Sequence, residues 1–359
     1  MIANFSTLTK KEILSLTNIR KYETKLGEVI GCFDGSDTSM EEQLSRTDAK
    51  YIIFGVPEDA GVQANGGIGG ARTLWPSFLQ SFLNVQSNNF LPSEQLFLAG
   101  AFDFAEEIKL INATAPNGEE RVMALRALVE KIDSRVEDLV KTICRNKKIP
   151  VIIGGGHNNA YGAIKGAAKG LYSAGVIPLA QVSAINLDAH ADYRTREGRH
   201  SGNPFRYADD DGYLSKYFIV GLHENYIQEN IRRDLQENPF VDYITYEDIF
   251  LKEKFNFIQA VARATGFVED HYTGIELDMD SIENVVSSAM SPSGISPLHA
   301  RVFVNFIPTE VSVAYLHICE GAVALDDGTA SKLTGKLVSY LVTDFVKSHY
   351  LAYKNGFVQ

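Results

Sequence analysis

The sequence predicts an α/β protein built on a mostly parallel sheet that is covered on both faces. From residue 50 onward, short apolar segments alternate with longer segments in which apolar residues recur at helical spacing. The apolar segments are continuous, which is typical of strands buried on both faces. No internal repeat and no linker rich in Pro, Gly or Ser divides the chain, so we expect a single domain over residues 49–359.

The first strand is expected at residues 50–57, where Pro57 ends an apolar run. Residues 1–48 are polar and helix-compatible, with a turn-rich break at 34–37, and we expect them to form an N-terminal extension packed on the main body. The Gly-rich loop at 61–72 lacks the G-x-G-x-x-G spacing and a phosphate-binding Lys. A structural role is therefore expected for this loop.

Strands and helices then alternate to the end of the chain. The helix at 119–147 carries acidic residues at its start and basic residues at its end, which favours both ends of a helix. Small residues at 160–174 indicate a closely packed helix. The other expected elements are strands at 94–104, 150–153, 183–188, 217–221, 242–245 and 272–280, helices at 226–238 and 255–265, and a helix–strand–helix region across 308–318 and 330–350.

Composition excludes several classes of protein. The 359 residues carry 34 Lys and Arg against 45 Asp and Glu, a net charge of −11, without a concentrated basic tract, which argues against a nucleic-acid partner. No stretch of 18 apolar residues and no signal peptide is evident, so no membrane partner is expected. The three cysteines lie far apart, as suits a reducing compartment. We expect a soluble cytoplasmic protein.

The segment 185–192 is interpreted as a buried strand that leads into three potential metal ligands, Asp188, His190 and Asp192. Side chains two apart in extended backbone share a face, so the three are expected to project together. Two carboxylates and an imidazole on one buried face are unfavourable without a cation, because the like charges repel each other and their loss of hydration is not compensated. The alternative is that they are ordinary polar residues at the start of a loop.

Two further strands end in residues of the same kind. His157 follows Gly154–Gly156, and Asp278 and Asp280 lie two apart at the end of the 272–280 strand. In open α/β sheets, sites form beyond the carboxyl ends of the strands. Four Asp and two His exceed the ligand number of one zinc ion and suit two ions, with Mn²⁺ favoured and Zn²⁺ or Co²⁺ as alternatives. Taken singly, His157 could instead cap a helix, and the two aspartates could be turn residues.

These motifs together resemble those of the ureohydrolase superfamily, which includes arginase, agmatinase and formimidoylglutamase, and the resemblance extends from about residue 55 to 345. It implies a three-layer α/β/α sandwich, a single arginase-like catalytic domain at 49–359 and a dinuclear manganese site. Metal-bridging hydroxide would hydrolyse a C–N bond at an amidine or guanidine carbon. The implied ligands are His157, Asp188, Asp192 and Asp278 for one ion and Asp188, His190, Asp278 and Asp280 for the other.

The resemblance also implies roles for residues outside the metal motifs. Glu320 falls where the family keeps an acid near the cationic head of the substrate, and His200 resembles a proton-shuttle histidine. Arg194 is placed to clamp a substrate carboxylate, and we expect Asn159 to bind substrate as well. The alternatives are a strand-end surface acid for Glu320, an exposed loop histidine for His200 and a surface arginine for Arg194.

Within the superfamily, the closest resemblance is to formimidoylglutamase. Gly156 before the metal His, Arg194 after Asp192 and the segment 201–205 favour it, whereas Asn158 and Glu276 depart from its usual pattern. The predicted reaction converts N-formimidoyl-L-glutamate to L-glutamate and formamide, in histidine metabolism. The alternatives are an arginase- or agmatinase-type enzyme that releases urea, or a non-catalytic metal-binding paralogue. A zinc deacetylase is disfavoured because no His-His pair occurs. The expected partner is a small amidino or guanidino acid, and a homo-oligomer is left open.

Overall fold

The structure, a computed structural model, describes residues 2–35 and 38–358. Within these residues ten strands form one sheet in the order β1-β4-β3-β5-β10-β9-β6-β7-β8, and β2 also pairs with β4. The strands are β1 (Phe5–Thr7), β2 (Gly31–Cys32), β3 (Tyr51–Gly55), β4 (Leu96–Phe102), β5 (Ile149–Ile153), β6 (Val182–Leu187), β7 (Leu214–Leu222), β8 (Val241–Thr245), β9 (Thr273–Asp278) and β10 (Val313–Cys319).

Fourteen α-helices in the described residues connect and cover these strands. They are α1 (Lys10–Ser15), α2 (Leu26–Val29), α3 (Met40–Arg46), α4 (Ala60–Ala64), α5 (Leu74–Phe82), α6 (Ala105–Thr114), α7 (Gly118–Arg145), α8 (Asn159–Ser173), α9 (Pro204–Asp210), α10 (Glu229–Glu237), α11 (Tyr246–Phe250), α12 (Phe257–Val268), α13 (Pro297–Glu310) and α14 (Thr334–Lys354). None of them combines the length and apolarity that crossing a membrane requires.

All described strand pairs are parallel except that of β1 with β4. Successive side chains of each strand enter two separate cores. In β3, Ile53 belongs to the core beneath α5, α13 and α14, and Ile52 to the core beneath α7 and α8. A sheet with helices on both faces explains why its strands are apolar throughout. The predicted three-layer α/β/α sandwich is confirmed.

Helix α8 packs unusually close to α7, as its small residues predict. A Cβ added to Gly162 would lie 2.7 Å from the backbone oxygen of Asp133, and one added to Gly166 would lie 2.7 Å from that of Glu137. Glycines four apart therefore form one face that lets the two backbones approach. This contact fixes the position of α8, whose first turn follows the predicted ligand His157.

The element boundaries differ from the sequence-based expectations in a few places. Residues 226–238 do not form one helix, because a 3₁₀ turn at Glu224–Tyr226 precedes α10. The strand expected at 272–280 ends at Asp278, where another 3₁₀ turn begins. Helices α4, α5, α6, α9 and α11 have no predicted counterpart, and most of α13 precedes the region expected from residue 308.

The N-terminal residues contribute to the sheet. Strands β1 and β2 both pair with β4, one antiparallel and one parallel, so the region before residue 49 extends the sheet edge. Ser36 and Asp37, half of the expected turn-rich break, lie outside the described residues. Treating 1–48 as an extension and 49–359 as one catalytic domain stays a prediction.

Candidate metal centre and active-site cavity

Four neighbouring strands in the middle of the sheet, in the order β5-β10-β9-β6, end at the same edge. His157 follows β5, Glu320 follows β10, Asp278 and Asp280 end and follow β9, and Asp188 begins the loop after β6. Because the carboxyl ends of parallel strands meet at one edge, the sheet order brings these side chains together from distant parts of the sequence.

The glycine-rich turn after β5 places His157 over the sheet edge. Gly155 has φ +79°, and a Cβ there would lie 2.7 Å from the backbone oxygen of Val56, so the turn requires glycine. The N–H of Gly156 donates to Oε1 of Glu58 at 3.0 Å. The buried Glu58 carboxylate thus holds the turn from below.

His157, Asp188, Asp192 and Asp278 form the first candidate metal-binding cluster, with one ligand atom of each within 4.8 Å of the others. Nδ1 of His157 lies 2.8 Å from Asp192 Oδ2, 3.1 Å from Asp278 Oδ2 and 3.3 Å from Asp188 Oδ2. His157, Asp188 and Asp278 are buried, and Asp192 is nearly so. The ring nitrogen therefore points into a group of three carboxylates.

Asp188, His190 and Asp280 form the second candidate cluster, and Asp188 belongs to both. Nδ1 of His190 lies 3.2 Å from Asp280 Oδ2 and 3.6 Å from Asp188 Oδ1. The structure brings all six predicted ligands together. Asp278, which the resemblance places on both ions, falls within the first cluster alone in this arrangement.

The sequence predicts that Asp188, His190 and Asp192 come together on one face of an extended strand. The structure brings them together in a different way. Strand β6 ends at Leu187, and residues 188–192 form a loop in which Asp192 has φ +46°. The N–H of His190 donates to Oδ1 of Asp188 at 2.7 Å, which closes the loop. The loop turns Asp192 back toward His157, whereas a continued strand would carry Asp192 further along the sheet.

The electrostatics of the clusters fit divalent cations. Burial, followed by the charges of Asp280 and Asp188, raises the pKa of Asp278 well above its usual range. Burial and Asp188 raise the pKa of Asp192 to about 6. Oδ1 of Asp280 is buried and has no hydrogen-bond partner among the described residues. Cations supply both the missing partner and the opposing charge, and oxygen-rich donor sets of this kind suit Mn²⁺ among transition metals.

A cavity of about 200 Å³ lies over the two clusters. Its lining contains His190 and the acidic residues Asp192, Asp278, Asp280 and Glu320. The lining also includes Asn65, Arg194, Ser201, Gly202 and Tyr226. Its volume suits a small amino-acid derivative.

Glu320 lies in the cavity wall directly after β10, with φ +61°. Its Oε1 accepts a hydrogen bond from the backbone N–H of His157 at 2.8 Å. Burial raises the pKa of Glu320 to about 8; the hydrogen bond from the N–H of His157 opposes this shift, and the charges of Asp280 and Asp192 add to it. A cationic group in the cavity would favour its ionised form.

Among the described residues, Arg194 is the one Lys or Arg residue that lines the cavity. Its Nη1 donates to Asn65 Oδ1 at 2.7 Å, and its Nη2 lies 2.8 Å from Oε1 of Glu197. The side chain is 39% exposed, so its guanidinium is held at the rim with donors left over for a ligand.

The structure does not bring His200 into the cavity. Its ring is buried, Nδ1 accepts from the N–H of Gly202 at 3.1 Å, and Nε2 lies 3.0 Å from Asn203 Nδ2. Burial and the charge of Arg194 lower the pKa of His200 to about 4. The ring stabilises the loop that carries Ser201 and Gly202 to the cavity wall, and a proton-shuttle role stays a prediction.

Asn159 likewise lies behind the site and does not line the cavity. Its Nδ2 donates to Glu58 Oε1 at 2.8 Å and to the backbone oxygen of Gly156 at 3.0 Å. It fastens the glycine turn, and direct contact with substrate stays a prediction. Glu58 itself was not predicted as a site residue, because a single acidic residue after a strand belongs to no sequence motif.

Two other features of the site also went unrecognised in the sequence. Glu276 shares a face with Asp278 and lies behind His157, which the alternation of β9 could have indicated. Tyr226 stacks on the ring of His190, with centroids 5.0 Å apart, and lines the cavity. No sequence pattern signals that contact, because it depends on where the 3₁₀ turn after β7 folds.

A family model described as the arginase family matches residues 49–343. The formimidoylglutamase of Streptococcus pyogenes serotype M6 is 23% identical over 329 residues, covering 89% of this chain and 92% of that protein.

Solved structures share the fold. Formimidoylglutamase from Bacillus subtilis has a TM-score of 0.71 at 17% identity, covering 93% of this chain and 94% of that one. Formiminoglutamase from Trypanosoma cruzi, solved with Mn²⁺, has a TM-score of 0.67 at 20% identity, covering 91% and 98%. Agmatine ureohydrolase of Thermoplasma volcanium has a TM-score of 0.63 at 19% identity, covering 89% and 94%.

Proposed function

The chain belongs to the arginase family, and on that premise we propose that this hydrolase converts N-formimidoyl-L-glutamate and water to L-glutamate and formamide. The observation that carries the choice of substrate is that groups of both charges line one cavity. Glu320, Asp192, Asp278 and Asp280 line it together with Arg194. A substrate with a cationic amidine at one end and a carboxylate at the other matches that arrangement.

The six clustered residues would hold two divalent cations, for which we propose Mn²⁺. His157, Asp188, Asp192 and Asp278 would hold one, and Asp188, His190 and Asp280 the other. Asp278 would also bind the second ion, as the family resemblance implies. When bound, such ions supply Lewis acidity, which polarises a C–N bond and makes water more acidic near neutral pH. The neighbour from Trypanosoma cruzi, solved with Mn²⁺, supports the choice of metal.

Glu320 would bind the amidinium and orient its carbon over the clusters. A carboxylate forms strong charge-assisted hydrogen bonds with an amidinium, and its position is fixed by the N–H of His157. Arg194 would bind a carboxylate of the substrate at the rim. The two contacts together align the C–N bond, which breaks as water adds to the amidine carbon and the departing amine takes a proton.

His200 remains a predicted proton donor to that amine. Its ring lies behind Ser201 and Gly202, so the 198–203 loop would have to move before the ring could reach a substrate. The proposed enzyme is cytoplasmic and acts in histidine breakdown. Release of urea from a guanidino substrate is the second candidate, supported by the fold shared with an agmatine ureohydrolase.

Product analysis tests the proposed function. The Mn²⁺-loaded protein is incubated separately with formimidoylglutamate, arginine and agmatine, and formamide and urea are quantified. We expect formamide from formimidoylglutamate alone. Urea from arginine or agmatine, without formamide, would overturn the choice of substrate.

Asp188→Ala tests the site itself, because Asp188 belongs to both clusters. We expect the variant to lose bound metal and to fall in turnover by about 10³-fold or more. The exposed Asp270→Ala is the matched control and should retain both. Unchanged metal stoichiometry in Asp188→Ala, measured by elemental analysis, would refute the site.

A further inference from the structure

Glu276 lies on β9 directly behind the candidate metal centre and is fully buried. It shares a face of the strand with Asp278, two residues on. The O–H of Tyr315 lies 2.6 Å from its Oε1, and Nδ1 of His317 lies 2.6 Å from its Oε2. Both partners come from β10, where His317 is the register neighbour of Glu276. Two donors thus hold the carboxylate in one orientation.

The carboxylate faces the far side of the His157 ring. Nδ1 of this ring points at the first cluster, and Nε2 lies 3.5 Å from Oε2 of Glu276. Nε2 is buried and has no hydrogen-bond partner among the described residues. Since a buried N–H without a partner is unfavourable, a small approach of the ring to Glu276 would complete the contact.

We propose that Glu276 is a positioning residue that accepts a hydrogen bond from Nε2 of His157 and so directs the free electron pair of Nδ1 at the first cluster. The inference rests on the proposed function, because it takes that cluster to be a metal site. A carboxylate behind a metal-binding imidazole fixes its tautomer and raises its basicity. Asp278 and Glu276, two residues apart on one strand, then lie at opposite ends of the His157 ring.

The burial of Glu276 supports this role. Desolvation of a fully buried carboxylate is costly, and replacing a buried ionic group by an apolar side chain of similar volume is often neutral or stabilising, so fold stability alone does not explain a glutamate here. Tyr315 and His317 hold the carboxylate from β10 but neither reaches the cavity lining. Their contacts therefore act on the site through Glu276 and His157.

The same atoms offer one competing arrangement. His157, His317 and Cys319 are all buried and have ligand-type atoms within 4.8 Å of one another. A cation held by these three would use Nε2 of His157 itself and displace the hydrogen bond to Glu276. A tightly bound ion that disappears in Cys319→Ser would overturn the positioning role.

Metal affinity measures the proposed contact without relying on turnover. Metal-free wild-type protein and the variants Glu276→Gln and Glu276→Ser are titrated with Mn²⁺ by calorimetry. We expect the affinity of one site to fall about 10–100-fold in both variants. Glu276→Gln keeps the length of the side chain and one carbonyl oxygen, so it provides the gentler change should Glu276→Ser fail to fold.

Tyr51→Phe is the matched control. It removes one buried hydrogen bond, from the Tyr51 O–H to Nδ1 of His349, at the start of β3 and away from the site. If Glu276 had only a structural role, its variants would behave like Tyr51→Phe. Both would lower the melting temperature of the metal-free protein and leave its Mn²⁺ affinity unchanged. Glu276 variants that bind Mn²⁺ within twofold of wild type would overturn the inference. Wild-type protein that binds no Mn²⁺, or whose binding survives Asp188→Ala, would instead overturn the proposed metal site.

Discussion

The backbone N–H of His157 donates to Oε1 of Glu320 over 2.8 Å, although 163 positions separate the two residues. The pairing of β5 with β10 continues beyond both strands to make this contact. The N–H of Gly154 donates to the oxygen of Ile318, and that of Glu320 to the oxygen of Gly155. A candidate metal ligand and the candidate substrate-orienting acid are therefore held by one continuous set of backbone hydrogen bonds.

Glu320→Gln is expected to separate the charge of this acid from its structural role. Glutamine keeps an oxygen for the N–H of His157, so metal content should stay at the wild-type level. Loss of the charge-assisted bond to the amidinium should lower kcat/KM for formimidoylglutamate about 10–100-fold. Steady-state kinetics with elemental analysis checks both. The exposed Glu269→Gln serves as control, and an unaltered kcat/KM in Glu320→Gln would contradict the role.

Arg194→Met is expected to raise KM for formimidoylglutamate about 10–100-fold with a much smaller change in kcat, because the lost contact binds a part of the substrate remote from the reacting carbon. Arg196→Met is the matched control. Arg196 is exposed to a similar degree but pairs with Asp211 and does not line the cavity. Equal KM values in the two variants would exclude Arg194 as the carboxylate-binding residue.

Arg199→Met is expected to destabilise the fold by about 3–5 kcal/mol at pH 8. Arg199 is buried, and its Nε donates to Oδ2 of Asp133 at 2.8 Å. Burial raises the pKa of Asp133 to about 6 even with Arg199 beside it, and removing Arg199 takes away the charge that opposes this shift. The variant at pH 8 must therefore either bury an unpaired carboxylate or protonate Asp133, and both lower its stability. Urea unfolding measures the loss. Asp133→Leu combined with Arg199→Met should recover most of it, and a double variant no more stable than the single one would argue against the ion pair.

His349 predicts a loss of stability in acid. Burial, and then the charge of Lys50, lowers the pKa of His349 from its ordinary 6.5 to about 3. Between these values the unfolded chain binds a proton that the folded chain does not. The stabilising contribution is therefore complete above pH 6.5 and is lost by about 1.4 kcal/mol per pH unit as the pH falls toward 3.

Urea unfolding of metal-free wild-type protein and His349→Gln at pH 7.5, 6.0 and 5.0 measures this contribution. The difference in unfolding free energy between the two should shrink as the pH falls, since other titrating groups affect both proteins alike. A difference that stays constant across the three pH values would show that His349 is not the group responsible.

Much of the site could be predicted from the sequence because the end of a buried strand is recognisable where an apolar run stops. The continuous apolar runs that become β5, β6 and β9 each lead, within four residues, to residues of ligand type, and in a parallel sheet such ends meet at one edge. All six predicted ligands lie in the two clusters, although Asp192 reaches its cluster through a turn in the 188–192 loop. The family resemblance narrowed the chemistry further, since it rests on motifs in a fixed order.

The positions of His200 and Asn159 could not be read in the same way. His200 lies in the loop that follows β6 and Asn159 in the first turn of α8, where a side chain faces either the cavity or the protein according to the partners that the fold supplies. His200 turns inward onto Asn203, and Asn159 onto Glu58. Neither partner lies at a spacing that a sequence pattern records.

By itself, the sequence determined the α/β class, the sheet edge where the site forms and the residues that gather there, because hydrophobic periodicity and strand ends are local properties. Only the tertiary structure decided that Asp192 returns to His157 through a left-handed turn, that Glu276 lies behind the same ring and that Arg194 lines the same cavity as the acidic clusters. Those three relationships depend on contacts between segments far apart in the chain, which settle the conformation of each loop.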